Sequence, residues 1–150
     1  MKSRTKARSI ALQVLYEVDI SGHKPGLVLV GRFERLKMDD SLKQFISQIV
    51  SGVIEYAGFL DGFIKEFAPE WPLDQVAIID RNLLRIALWE IAVYQKTPIK
   101  VVVNESVELA KLYGSEGSPR FINGVLGGLI DNLDEIKFDV EIVQDENETK

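Results

Sequence analysis

Hydrophobic residues recur three and four positions apart along most of the chain, a spacing that aligns side chains on one face of an α-helix. The predicted helices span approximately residues 3–20, 42–53, 59–67, 72–95, 100–113 and 118–133. The sequence has neither the alternating strands and helices of an α/β fold nor a glycine-rich phosphate loop. The pattern therefore predicts an all-α fold.

Prolines near the middle of the chain divide the predicted helices into two groups of three. Pro69 ends the third helix, and Pro72 fits the first position of the fourth. We therefore expect two three-helix subdomains, at about residues 1–68 and 71–138, packed together as one domain over 1–138.

Two segments fall outside these helices. Residues 22–38 contain short apolar runs among glycines and a proline, so a weak helix and an ordered loop both stay open. Residues 139–150 are acidic, and we expect this tail to be flexible.

From residue 134 onward, seven acids and two lysines give a net charge of −5, which equals that of the whole chain. The acidic total therefore does not exclude contact between the rest of the chain and nucleic acid.

The composition argues against several classes of function. Without cysteine and with one histidine, the chain has no disulfide, cysteine nucleophile or sulfur-ligated metal site. Glu105 and Glu108 are one helical turn apart, but such acidic pairs are common on solvated helix faces. Glu90 stands among apolar residues, and we expect it to pair with a cation or with helix-start amides. We expect no enzyme, no metal, no cofactor and no membrane span, and a cytoplasmic location.

The first predicted helix presents the clearest candidate for a binding surface. The first eight residues contain no acid and four basic side chains: Lys2, Arg4, Lys6 and Arg8. We expect Arg4 and Arg8 to reach outward from the edge of the apolar stripe. Gln13 and Tyr16 fall opposite that stripe. Cations, an amide and an aromatic ring together are typical of single-stranded RNA recognition, although an ordinary solvated helix face is the alternative.

A second candidate region surrounds a predicted turn at residues 114–119. Tyr113, Arg120 and Asn123 lie near this turn, where the start of the next helix presents free amide groups that favour anions. Gly124 is a poor residue for a helix interior, and we interpret it as allowing close helix packing.

Four segments together resemble the NusB family of transcription antitermination factors. These segments are Arg8–Tyr16, Asp80–Glu90, Pro98–Gly114 and Arg120–Leu126. Their order and spacing over about residues 4–133 carry the resemblance. The resemblance implies an all-helical fold with two subdomains, in agreement with the hydrophobic pattern.

The resemblance also implies a non-enzymatic factor that binds boxA, a single-stranded element of ribosomal RNA leader transcripts. Binding would occur together with NusE, a ribosomal protein, in an RNA polymerase complex that suppresses termination. By position, the resemblance implies RNA contacts at Lys2, Arg4, Lys6, Arg8, Gln13, Tyr16, Tyr113, Arg120, Phe121 and Asn123. It also implies partner contacts at Tyr16 and Asp80.

The sequence departs from the family pattern in three places, and one of them is the acidic tail after Asp134, which has no clear family counterpart. Ser, Thr and Ala separate the basic residues of the first helix, where many members have a denser arginine run. Gly117 to Pro119 stand where members often have an acidic residue and another polar one.

Two possibilities stay open, and a third is excluded. A protein-interaction adapter of the same fold, without significant RNA binding of its own, stays open, and so does homodimerisation. Ribosomal-RNA cytosine methyltransferases have this fold as a non-catalytic domain, but this chain has no cysteine to perform their reaction.

Overall fold

The computed structural model describes residues 2–67 and 76–148. Within these ranges the chain forms eight α-helices and no strand. The helices are α1 (Ser3–Ser21), α2 (Pro25–Arg35), α3 (Asp40–Glu55), α4 (Ala57–Phe67), α5 (Ile78–Trp89), α6 (Ile99–Tyr113), α7 (Ser118–Asp131) and α8 (Leu133–Glu148). The predicted all-α class is confirmed. None of the described helices is both long and apolar enough to cross a membrane.

Helix α5 is central to the packing of the two groups of helices. Helix α5 contacts α1, α3 and α4 of the first group and α6 and α7 of the second. Buried residues from both groups form one continuous hydrophobic cluster, which is the expected result of packing amphipathic helices around a shared core. Each group has one helix more than the pattern predicted, namely α2 and α8.

Two local features fix α3 in the core. The Asp39 carboxylate accepts a hydrogen bond from the Leu42 amide at 2.9 Å and so caps the start of the helix. Further along, Gly52 faces the Trp89 indole so closely that a Cβ at residue 52 would lie 2.1 Å from its Nε1 atom. Glycine at this position therefore allows α3 to approach α5.

The structure resolves the segment that the hydrophobic pattern left open and corrects the start of one predicted helix. Residues 25–35 form α2, which begins with a proline in its first turn and buries Val28. The helix expected from Pro72 begins instead at Ile78, because Ala77 has an extended conformation with ψ of 141°. Pro72 itself lies outside the described residues.

The acidic end of the chain continues as helix through Glu148, so α8 crosses the predicted boundary at residue 138 without a break. Val140 is 1% exposed, and the Gln144 amide donates a hydrogen bond to the Tyr56 hydroxyl at 3.4 Å. The packed domain therefore reaches past residue 138. The flexibility of the acidic tail stays a prediction.

A wide, π-helical turn at Glu90–Tyr94 ends the α5 segment. Its defining hydrogen bond runs from the Gln95 amide to the Glu90 carbonyl, 2.9 Å away and five residues earlier. Gln95 has φ of 59°, in the left-handed region. The turn stacks the ring of Tyr94 on that of Trp89, with ring centroids 5.0 Å apart.

Candidate nucleic-acid interface

The N-terminal end of α1 is an open basic surface. Lys2, Arg4 and Lys6 are exposed. The Arg4 guanidinium carbon lies 3.9 Å from the centroid of the Phe45 ring, a cation–π contact that holds this side chain against α3. We call Lys2, Arg4 and Lys6 the basic edge. It offers three positive charges to an anionic ligand.

Arg8 does not belong to this surface, which corrects the expectation that it reaches outward. Its residue is 4% exposed, and its Nε and Nη2 atoms donate to the two carboxylate oxygens of Glu90 at 2.8 and 2.7 Å. Thr97 donates to the same carboxylate at 3.1 Å. Burial alone would lower the pKa of Arg8, but the hydrogen bonds and charge of Glu90 outweigh it and raise that pKa. The expectation that Glu90 pairs with a cation is confirmed.

Polar side chains from α1 and α6 meet on the outer side of α1. The Gln13 amide nitrogen donates to the Tyr113 hydroxyl at 3.1 Å and to the Ser9 hydroxyl at 3.3 Å. The hydroxyl groups of Ser9 and Tyr113 are hydrogen-bonded to each other. Tyr16 and Tyr113 remain 39% and 37% exposed. The structure thus brings together Gln13 and Tyr113, which are 100 residues apart in the sequence.

A groove of about 400 Å³ runs beside this cluster, and we call it the α1 groove. Its lining includes Gln13, Tyr16, Glu17, Arg32, Ile79 and Tyr113. Arg32 is the basic residue of this lining, and it could not be predicted because it lies in the segment whose structure the pattern left open. Its Nη1 atom donates to the Gln13 amide oxygen at 2.6 Å.

The residues predicted on α7 divide between two surfaces. Arg120 and Asn123 are exposed, whereas Phe121 is half-buried and lines a second pocket of about 360 Å³ together with Asp80. A Cβ on Gly124 would meet no atom within 4 Å. The interpretation that Gly124 allows close packing within this chain is therefore wrong, because the glycine faces open space.

Asp80 is only 7% exposed in the chain by itself. Burial raises the pKa of its carboxyl group, and a hydrogen bond from the Ser118 hydroxyl lowers it by less. The Oδ1 atom of Asp80 has no hydrogen-bond partner among the described residues. The adjoining turn is tight, since a Cβ on Gly114 would lie 2.4 Å from the Ser118 Oγ atom. A partner contact at Asp80 stays a prediction, and it would have to be made within the pocket.

The two glutamates considered as a carboxylate pair have separate partners. Glu105 accepts a hydrogen bond from the Thr5 hydroxyl at 2.8 Å, and Glu108 forms an ion pair with Lys111 at 3.0 Å. Across the described residues, no group of three or more His, Asp or Glu side chains is placed to hold a metal ion.

Comparisons with known proteins point to one family. A sequence profile of the NusB family matches residues 5–131. The transcription antitermination protein NusB of Roseiflexus sp. (strain RS-1) is 44% identical over 129 residues, covering 85% of this chain and 91% of that protein. The corresponding protein of Desulforamulus reducens is 39% identical over 132 residues, covering 88% of this chain and 92% of that protein.

Solved structures give the same result. NusB from T. maritima has a TM-score of 0.75 and 28% identity, with 89% of each chain covered. A chain in the crystal structure of the antitermination factors NusB and NusE with double-stranded RNA has a TM-score of 0.76 and 27% identity. That match covers 86% of this chain and 96% of the other. From the profile match and the similarity to curated relatives, this chain belongs to the NusB family.

Proposed function

We propose that this protein is a non-enzymatic transcription antitermination factor of the cytoplasm that binds single-stranded, boxA-type ribosomal RNA leader sequences together with a NusE-type ribosomal protein. The complex would act on RNA polymerase. The observation that supports this proposal best is the open side of α1, where the basic edge adjoins the Gln13, Tyr16 and Tyr113 cluster. The names of the curated relatives support the antitermination role, and the solved complex of NusB and NusE with double-stranded RNA supports RNA and a NusE-type protein as the classes of partner.

The basic edge would bind the phosphates. Lys2, Arg4 and Lys6 are exposed, and no ion pair involves them among the described residues. Each contact with a single-stranded phosphate contributes about 0.7 to the slope of log affinity against log salt. Three contacts therefore predict a slope of about −2. This slope is less steep than four phosphate contacts would give, because Arg8 is paired with Glu90 and does not contribute a contact.

The tyrosine rings would bind the bases. Tyr16 and Tyr113 both expose more than a third of their surface, and Gln13 lies beside them. One base stacked on an aromatic ring contributes on the order of 1–3 kcal/mol. Arg120 and Asn123 on the exposed side of α7 would extend this surface, and the uncrowded Gly124 beside them would let a ligand backbone come close.

Asp80 and Phe121 belong to the other pocket, so we assign that pocket to the protein partner in preference to the RNA. The contact predicted for Phe121 with RNA is the one that the geometry supports least, because its ring packs on the core and lines the Asp80 pocket. Tyr16 lies on the α1 groove and could serve both ligands.

Fluorescence anisotropy with a labelled boxA-type RNA tests the proposal. The RNA is titrated with this protein, with the NusE-type partner, and with both, and a duplex of the same sequence serves as the comparison. We expect modest affinity for the single strand alone and at least tenfold tighter binding by the pair. If the pair forms but binds RNA no better than the partner alone, the protein is an adapter and the RNA-binding proposal fails.

Sedimentation of the free protein will decide between monomer and homodimer.

A further inference from the structure

Arg32 brings a positive charge from α2 to the α1 groove. Its Nη1 atom donates to the Gln13 amide oxygen at 2.6 Å, so the amide nitrogen of Gln13 points to Tyr113 and Ser9. Arg32 therefore fixes which hydrogen-bonding groups of this cluster face a ligand.

The Arg32 guanidinium retains donors that the chain does not use. Its Nε atom is buried and has no hydrogen-bond partner among the described residues. A ligand cannot reach this buried atom, but the Nη2 group forms no hydrogen bond among the described residues and is not fully buried, so it can donate to a ligand in the groove. Tyr16 and Tyr113 line the same groove, so aromatic rings and a planar cation adjoin one another. Glu17, the acid in the lining, faces His23, whose Nδ1 atom is 3.8 Å from its carboxylate.

We propose that Arg32 is an RNA-binding residue and that the α1 groove receives one unpaired nucleotide. The guanidinium would donate hydrogen bonds to acceptor atoms of that nucleotide, while a tyrosine ring stacks on its base. The positive charge of Arg32 and the continuity of the groove with Gln13 and Tyr113 favour a nucleotide over an apolar side chain of a partner. This inference rests on the proposed function and extends the RNA surface to α2.

Arg35 provides a matched control on the same helix. It lies one turn after Arg32, is exposed, and donates its Nε hydrogen to the Gly31 carbonyl at 3.1 Å. It lines a different pocket, near His23 and Lys24. Replacement of either arginine by glutamine removes one charge from α2, so only a local contact distinguishes the two variants.

The experiment measures RNA affinity for the parent, Arg32→Gln and Arg35→Gln, with boxA-type RNAs in which each base is replaced in turn. We expect Arg32→Gln to weaken binding about tenfold, the usual consequence of losing hydrogen bonds from a charged donor, and Arg35→Gln less than twofold. Arg32→Gln should also lose discrimination at one base position only, which a general loss of stability would not produce, and Gln13→Ala should retain the Arg32-dependent discrimination at that position. Arg32→Lys should recover part of the affinity but not the discrimination. Unfolding in urea should give the same midpoint for Arg32→Gln and Arg35→Gln.

Four results would overturn the inference. Equal losses for Arg32→Gln and Arg35→Gln would show that only long-range charge matters. Weaker binding of the NusE-type partner with unchanged RNA affinity would assign the groove to a protein side chain. A parent protein that binds no RNA, alone or with its partner, would overturn the proposed function as well. Loss of RNA binding in an Arg4→Ala variant but not in Arg32→Gln would leave the proposed function standing and reject this inference alone.

Discussion

Arg4 and Arg8 lie one helical turn apart on α1, yet their surroundings are opposite. Arg4 is exposed and rests on the ring of Phe45, whereas Arg8 is buried and bonded to both carboxylate oxygens of Glu90. The difference arises from a residue 82 positions further along the chain. A basic residue near a chain end is therefore not by itself a ligand contact, because a distant acid can bind it first.

Charged side chains elsewhere in the structure likewise divide into those paired between helices and those on the exposed surface. Arg85 donates to both carboxylate oxygens of Asp61 at 2.7 Å and lies 3.3 Å from Asp19, so α5 is tied to α4 and α1. Burial by itself lowers the pKa of Arg85, and its hydrogen bonds and attraction to these acids raise the pKa overall. By contrast, the exposed pair of Lys111 and Glu108 is of the surface kind that contributes little to stability.

The largest expected effect is that of Arg8→Ala. This change leaves the Glu90 carboxylate buried without its cation, and breaking a buried pair in this way costs about 3–5 kcal/mol. Urea unfolding followed by circular dichroism measures the loss. The double variant Arg8→Met with Glu90→Leu is the control, because removing both charges should recover most of the stability. A loss below about 1 kcal/mol would show that the pair stabilises the fold no more than a surface pair does.

A smaller effect, on binding alone, is expected for the double variant Arg4→Ala with Lys6→Ala. Removing two phosphate contacts should flatten the slope of log affinity against log salt by about 1.4, with a stability change below about 1 kcal/mol. Anisotropy at four salt concentrations measures the slope. A control that replaces exposed Lys37 and Lys65 by alanine changes the net charge equally. Equal slopes for the two double variants would remove the basic edge from the RNA site.

The smallest effect is expected for Asp80→Asn, which tests a buried carboxyl group that forms no ion pair within residues 2–67 and 76–148. Because burial raises the pKa of Asp80 in the folded state, the folded protein holds the proton more tightly than the unfolded chain does. Ionisation of Asp80 therefore lowers stability as the pH rises above the carboxyl pKa of the unfolded chain. The variant should be slightly more stable than the parent at pH 7, and the difference should vanish below about pH 4. Thermal unfolding across this pH range measures it, and a variant less stable at every pH would contradict the assignment.

Sequence reasoning predicted the helices whose apolar stripes are regular, since periodicity follows directly from burial on one face. It also predicted a partner for Glu90, because a lone buried carboxylate is costly. It could not predict Arg8 as that partner, since helical spacing places the Cα atom at the edge of the stripe and leaves the direction of a long side chain undecided. The role of Arg32 could not be predicted for a related reason. Its contact with Gln13 depends on how α2 packs against α1, and the hydrophobic pattern did not establish that α2 is a helix.

The π-helical turn at Glu90–Tyr94 links the junction between α5 and α6 to helix α1. The turn carries Glu90 at its start and ends at Gln95 in a conformation that non-glycine residues seldom adopt. Glu90 in turn holds Arg8, which lies on α1 between the basic edge and the tyrosine cluster. A shift in the α5–α6 junction would therefore act on α1 through Arg8 and would change the position of the basic edge relative to Tyr113 on α6.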